Sequence, residues 1–139
     1  MKMKPISQND KEAFLRRIGS PEAAEALFGL YNIISGLLGG RIDDVQIFED
    51  KAIMFFDGKR EIVRINIGKR SHRVYVHPPS GALFDSGEEF AVEKINLWPS
   101  AFRKTSGKFC GMSFWISNTK HLRGAREIIA RIPVDKAGD

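Results

Sequence analysis

Between residues 43 and 76 the apolar side chains recur at every second position, in four short runs. These are "VQIF" (45–48), "AIMFF" (52–56), "EIVRINI" (61–67) and "HRVYV" (72–76). Alternation rich in β-branched and aromatic residues marks strands with one buried face. The runs are separated by "EDK", "DGK" and "GKR", connections too short for the crossover that parallel strands need. The four runs therefore predict an antiparallel meander. "PPSG" (78–81) ends it, because two prolines cannot serve a central strand.

Before residue 43 the spacing is helical. "SQND" (7–10) offers cap chemistry to "KEAFLRRI", where Phe14, Leu15 and Ile18 share one face, and Gly19 suits a left-handed end. Ser20 caps a second helix with Pro21 at its first position and Glu22 and Glu25 near its positive end. Ala24, Leu27, Phe28, Tyr31, Ile34, Leu37 and Leu38 follow three-four spacing, and "GG" (39–40) stops the helix. After the meander, "SGEEFAVEKI" suggests a short helix and "LWPSAFRKTSG" an irregular connection. "KFCGMSFWIS" (108–117) predicts a fifth strand, apolar on both faces and hence internal. "NTKHLRGAREIIARI" closes with a helix capped by Asn118 or Thr119 that buries Leu122, Ala125, Ile128, Ile129 and Ile132 and ends at Pro133. The expected architecture is α+β: a five-strand antiparallel, meander-type sheet with two N-terminal helices and one C-terminal helix on one face.

The 139 residues suit a single domain, 1–139, and show no repeat or dividing linker. An apolar share of 42% and a charged share of 28% are those of a globular chain, not a disordered one. Cys110 stands alone, so no internal disulfide forms. With a polar N-terminus and no apolar run long enough for a bilayer, the expectation is a cytoplasmic protein without membrane contact.

The net charge is +5, unevenly placed. Residues 58–78 hold six cations against Glu61, and residues 102–139 hold eight against three acids. Residues 79–101 between them are acidic. Segregated charge of this kind steers polyanions, or lets basic and acidic segments of one fold meet.

Strand register divides the basic hairpin into two faces. With Ile65 opposite Val74, the residues Val63, Ile65, Ile67, Val74 and Val76 line one side, with His72 near its end. Arg64, Asn66, Arg73, Tyr75 and His77 line the other. Arg64 and Arg73 suit phosphates there, Tyr75 suits stacking on a base, and His77 adjoins them. Lys104 and Lys108 in "FRKTSGK" (102–108) and Arg123 on the last helix extend the candidate anion-binding set. That loop is no nucleotide-binding P-loop, since Phe102 stands where the first glycine belongs. The plainer alternative is a solvated sheet face whose cations discourage aggregation.

No catalytic constellation emerges. Asp43 or Asp44 followed by "DGK" (57–59) resembles the carboxylate spacing of metal-dependent nucleases, but the triplet falls in a turn, where metal geometry is not fixed. His72, His77 and His121 lack metal-ligand spacing, and Cys110 reads as a small core residue. No cofactor is implied.

The stretches "KAIMFFDGKREIVRINIGKRSHRVYVHPP" and "RKTSGKFCGMSFWISNTKHLRGAREIIARI" resemble small bacterial and archaeal α+β domains of unknown function in their order of elements over residues 27–132. The resemblance implies helices on an antiparallel sheet and an accessory role, and it carries over no catalytic residue. The expected function is a non-catalytic binding module whose basic sheet face takes nucleic acid or another polyanion. The alternative is a protein-interaction or small-ligand domain using the apolar residues of "ALFDSGEEFAVEKINLW"; a metal-dependent nuclease is the remote one.

Overall fold

The computed structural model describes residues 3–77, 84–85, 87–98 and 108–133. Helix α1 (Gln8–Arg17) begins at Ser7, whose hydroxyl accepts the Asp10 N–H at 3.2 Å. The helix ends before Gly19, and Gly19 is not left-handed: Ile18 is already extended, at φ −80° and ψ 117°. The reason is tertiary, because the Gly19 N–H donates to the Lys69 carbonyl at 2.9 Å. Helix α2 (Pro21–Leu38) has the expected Ser20 cap, with Pro21 in its first turn, and buries Ala24, Leu27, Tyr31, Ile34 and Leu38.

Strands β1 (Asp44–Phe48), β2 (Ala52–Asp57), β3 (Arg60–Asn66) and β4 (His72–Val76) form the antiparallel meander. Gly58, at φ +63°, supplies the left-handed conformation that the two-residue turn between β2 and β3 demands. Ile65 lies opposite Val74 and Val63 opposite Val76, and all four are fully buried. A bulge interrupts β3: Phe55 faces Val63 but Phe56 faces Glu61, so Ile62 is an extra residue. Ile62 and Val63 are both buried, and alternation restarts one step out of phase.

Among the described residues the main sheet has six strands, one more than expected. Past β4 it continues through β8 (Gly111–Ile116) to an edge strand, β6 (Glu93–Trp98). Residues 93–95 are strand where a short helix was expected. Ile95 and Leu97 pack against the core while Asn96 faces Ser113 and Trp98 faces Gly111, an alternation that a helix cannot satisfy. The expected single strand over 108–117 is also broken. β7 (Lys108–Phe109) pairs with β5 (Phe84–Asp85) in a separate two-stranded ladder, and Cys110 sits half-buried at the break, not in the core. β8 is internal, as its apolar run requires.

Helix α2 covers the sheet face that carries Phe55 and His72. The Tyr31 and Phe55 rings are 5.8 Å apart, and His72 Nε2 is 2.7 Å from the Ala23 carbonyl oxygen. A 3₁₀ turn (Thr119–His121), capped by Asn118, leads into α3 (Leu122–Ile129), which packs on α2. Ala125, Ile128, Ile129 and Ile132 join one continuous core with the inner sheet face. The helix stops at Ile129, four residues before Pro133. Among the described residues no helix is long and apolar enough to cross a membrane.

Candidate functional site

The face of the sheet opposite Phe55 and His72 carries Arg64, Arg73, Tyr75 and His77, as the register required. Arg64 faces Tyr75 across β3 and β4, and Arg73 faces Trp115 across β4 and β8. These residues are half-buried apart from His77, which is exposed. Lys104 lies outside the described residues, as does the side chain of Lys108. Arg123 is elsewhere, exposed on α3 beside the Glu127 carboxylate at 3.7 Å. The structure thus brings together four of the seven candidate residues.

It also adds two tryptophans and a lysine to them. Trp98 stands opposite Gly111, and a Cβ at that position would lie 2.6 Å from the indole Cε3. Glycine there leaves room for the indole to lie close over β8. From that position Trp98 reaches the rings of β4. The Trp98 centroid is 6.0 Å from Tyr75 and 5.7 Å from His77, and Tyr75 is 6.3 Å from His77. The three planes lie within 13° of parallel. Van der Waals contact sets stacked planes about 3.5 Å apart, so one column of three rings would span roughly 7 Å. The measured triangle is smaller than that. At least two of the rings therefore lie side by side, and the group presents a surface broader than one ring.

A second aromatic position lies along the same face. The Arg73 guanidinium is 4.9 Å from the Tyr75 centroid and 5.9 Å from that of Trp115. Its Nη2 donates to Ser113 Oγ at 3.3 Å, while its buried Nε has no hydrogen-bond partner. The two rings compensate that cation through their quadrupoles. Lys94, on β6, joins them with its ammonium 5.8 Å from the Trp115 centroid. Lys94 has φ +51° in a bulge, where Glu93 to Asn96 on β6 oppose Trp115 and Ser113 on β8. Such a bulge redirects a side chain that regular alternation would aim elsewhere.

The charges on this face are unequal. Glu61, brought onto it by the β3 bulge, holds Arg64 at 2.6 and 3.0 Å and pushes the guanidinium pKa further up. Arg64 is therefore an ion-paired cation, whereas Arg73 and Lys94 sit over rings. Desolvation beside its neighbours lowers the His77 pKa; Glu61 opposes that shift, and Arg64 and Arg60 reinforce it. Part of the remaining basic charge meets acids within the fold, as Arg131 does with Glu88.

The carboxylates of the nuclease-like spacing are engaged structurally. Asp57 accepts from Arg41 Nε at 2.9 Å, and the Asp43 carboxylate accepts the Gly58 N–H at 2.9 and 3.0 Å. Among the described residues no group of three His, Cys, Asp or Glu side chains is placed to hold a metal ion.

Trp98 and Trp115 were missed as site residues because "LWPSAFRKTSG" read as irregular and "KFCGMSFWIS" as apolar throughout. The usable signal was the period two of "KINLW" and "GMSFWI", which puts Asn96, Trp98, Ser113 and Trp115 on one face. Compared with protein-family models, with curated proteins and with solved structures, the chain gives no match in any of the three.

Proposed function

We propose that the protein is a non-catalytic binding module whose outer sheet face takes nucleic acid. The observation that carries this reading is the Tyr75–His77–Trp98 ring group beside Trp115, with Arg73 and Lys94 over the rings. Broad aromatic surfaces interleaved with cations bind nucleic acids by stacking, and the cations neutralise phosphates. A merely solvated sheet face has no need of four aromatic rings. The competing protein-interaction reading relied on the apolar residues of 82–98. Phe84 is fully buried, and Phe90, Val92, Ile95 and Leu97 are partly buried against the core, so part of that apolar surface is already used within the fold.

The test is a titration of labelled oligonucleotides at several salt concentrations, with heparin as a polyanion without bases. Arg73→Ala lowers the magnitude of the log-affinity against log-salt slope by about 0.7 on single strands. Tyr75→Ala weakens binding by about 1–3 kcal/mol and leaves that slope nearly unchanged. Heparin binding responds to the first variant only. If wild type binds oligonucleotides no better than a neutral protein at low salt, the reading is wrong.

A further inference from the structure

We infer that this face takes an unpaired strand and engages it at two separate stacking stations, one at Trp98 and one at Trp115. The inference deepens the nucleic-acid reading and rests on it.

Both indoles belong to the outer face, but they are not neighbours. Trp98 is opposite Gly111, whereas Trp115 is opposite Arg73 and Glu93. Positions 111 and 115 are four residues apart on β8, which at strand rise places the stations about 13 Å from each other. Ser113 lies between them as the hydroxyl partner of Arg73. Arg73 lies between the stations, 4.9 Å from the Tyr75 centroid and 5.9 Å from that of Trp115, and Lys94 approaches the Trp115 ring. At the Trp98 end Tyr75 and His77 broaden the aromatic surface.

In a duplex the base faces are hidden in the stack, and rings lying on a sheet cannot reach them. A ring surface gains stacking energy only from bases already splayed out of pairing. One strand of a duplex advances about 3.4 Å per nucleotide. Two stations about 13 Å apart therefore require about four nucleotides when the intervening bases stay stacked, and fewer when the strand is extended. A dinucleotide reaches one station only. The contacts are to π-faces and phosphates, so the site accepts any base sequence.

The chain has two tryptophans, and both are at the site, so indole emission reports on each station separately. Trp98→Phe leaves Trp115 as the only indole, Trp115→Phe leaves Trp98, and both variants keep a ring in place. Each would be titrated with a thymidine dinucleotide, a thymidine octamer and an eight-base-pair duplex at low salt, with anisotropy of labelled probes measuring total binding. The expected result is quenching of both indoles by the octamer, of one at most by the dinucleotide, and of neither by the duplex. Trp98→Ala and Trp115→Ala should each weaken octamer binding by about 5- to 150-fold. Gly111→Ala supplies an independent route, since its Cβ displaces the Trp98 indole while leaving the indole in the protein.

Binding of the octamer without quenching at one or both tryptophans overturns the two-station inference and leaves the broader reading standing. Equal quenching by duplex and octamer does the same. Absence of binding by every probe overturns the nucleic-acid reading itself, and the inference falls with it.

Discussion

Glu61 grips Arg64 with both carboxylate oxygens, Oε1 on Nε at 2.6 Å and Oε2 on Nη2 at 3.0 Å, from three residues away on the same strand. Residues three apart on a regular strand point to opposite faces. The bulge at Ile62 removes that obstacle: it takes up one step of alternation, buries Ile62 beside Val63, and swings Glu61 onto the outer face. A single extra residue thereby converts a cation facing solvent into an ion pair.

Glu61→Gln should therefore strengthen polyanion binding. The neutral amide frees Arg64, which is 41% exposed and can turn towards a phosphate. One added phosphate contact raises the magnitude of the salt slope on single strands by about 0.7. Stability should change by about 1 kcal/mol, because a pair still partly open to solvent contributes little. Salt-series titration of the variant against wild type measures the first effect. An unchanged or shallower slope would show that Arg64 takes no part.

Ile65 is the residue on which the hairpin register turns, and it is fully buried opposite Val74. Ile65→Ala should lower stability by about 2–5 kcal/mol, through lost transfer energy and the cavity left behind. Arg64→Ala, next to it on the opposite face, should change stability by less than about 1 kcal/mol. Urea unfolding of the two variants separates them. Similar midpoints would contradict the division of faces.

The inner half of this architecture was legible because apolar spacing encodes it directly. Ser20 before Pro21, the three-four spacing of α2, and Ile65 opposite Val74 each follow from local chemistry that the tertiary structure reinforces. The outer face was legible only in part. Arg64, Arg73, Tyr75 and His77 were placed by alternation, but their partners Trp98, Trp115 and Lys94 come from strands whose pairing is long-range. A bulge is invisible to strict periodicity, so neither the Glu61–Arg64 pair nor the position of Lys94 could be read from spacing. The β5–β7 ladder was hidden for a different reason: two residues per strand are too few to show a period.

Asp57 belongs to a structural pair, and its substitution should reveal that. Arg41 is 3% exposed, bonded to Asp57 at 2.9 Å and to the Pro133 carbonyl at 2.7 Å. Removing the carboxylate takes one hydrogen-bonded counter-charge from a buried cation, so Asp57→Ala should cost about 3 kcal/mol. Because that carboxylate is committed, magnesium or manganese should support no cleavage of DNA or RNA. Incubation of plasmid and labelled RNA with either metal is the check. Metal-dependent cleavage by wild type that disappears in Asp57→Asn would mean that the Asp57 carboxylate has a catalytic task after all.

His72 should make the protein acid-sensitive just below neutrality. The Gly68 N–H donates to its Nδ1 at 3.3 Å, which leaves the proton on Nε2, 2.7 Å from the Ala23 carbonyl oxygen. Both nitrogens are satisfied in the neutral ring, and the ring is completely buried. A second proton would sit on Nδ1, facing the donor of Gly68. Burial accordingly lowers the His72 pKa below its ordinary value of 6.5, and the Ala23 hydrogen bond opposes this only in part. As pH falls through 6.5, the unfolded chain takes up the proton first. The unfolded state then binds more protons than the folded one, so stability falls with decreasing pH from about 6.5 down to the folded pKa. The slope contributed by one histidine is at most about 1.4 kcal/mol per pH unit. His77 is shifted in the same direction and adds to it. Urea midpoints of wild type should therefore drop between pH 7.5 and 5.5. His72→Gln should be less stable throughout but show a shallower dependence, retaining the His77 part. An equal slope in the variant would place the acid sensitivity elsewhere.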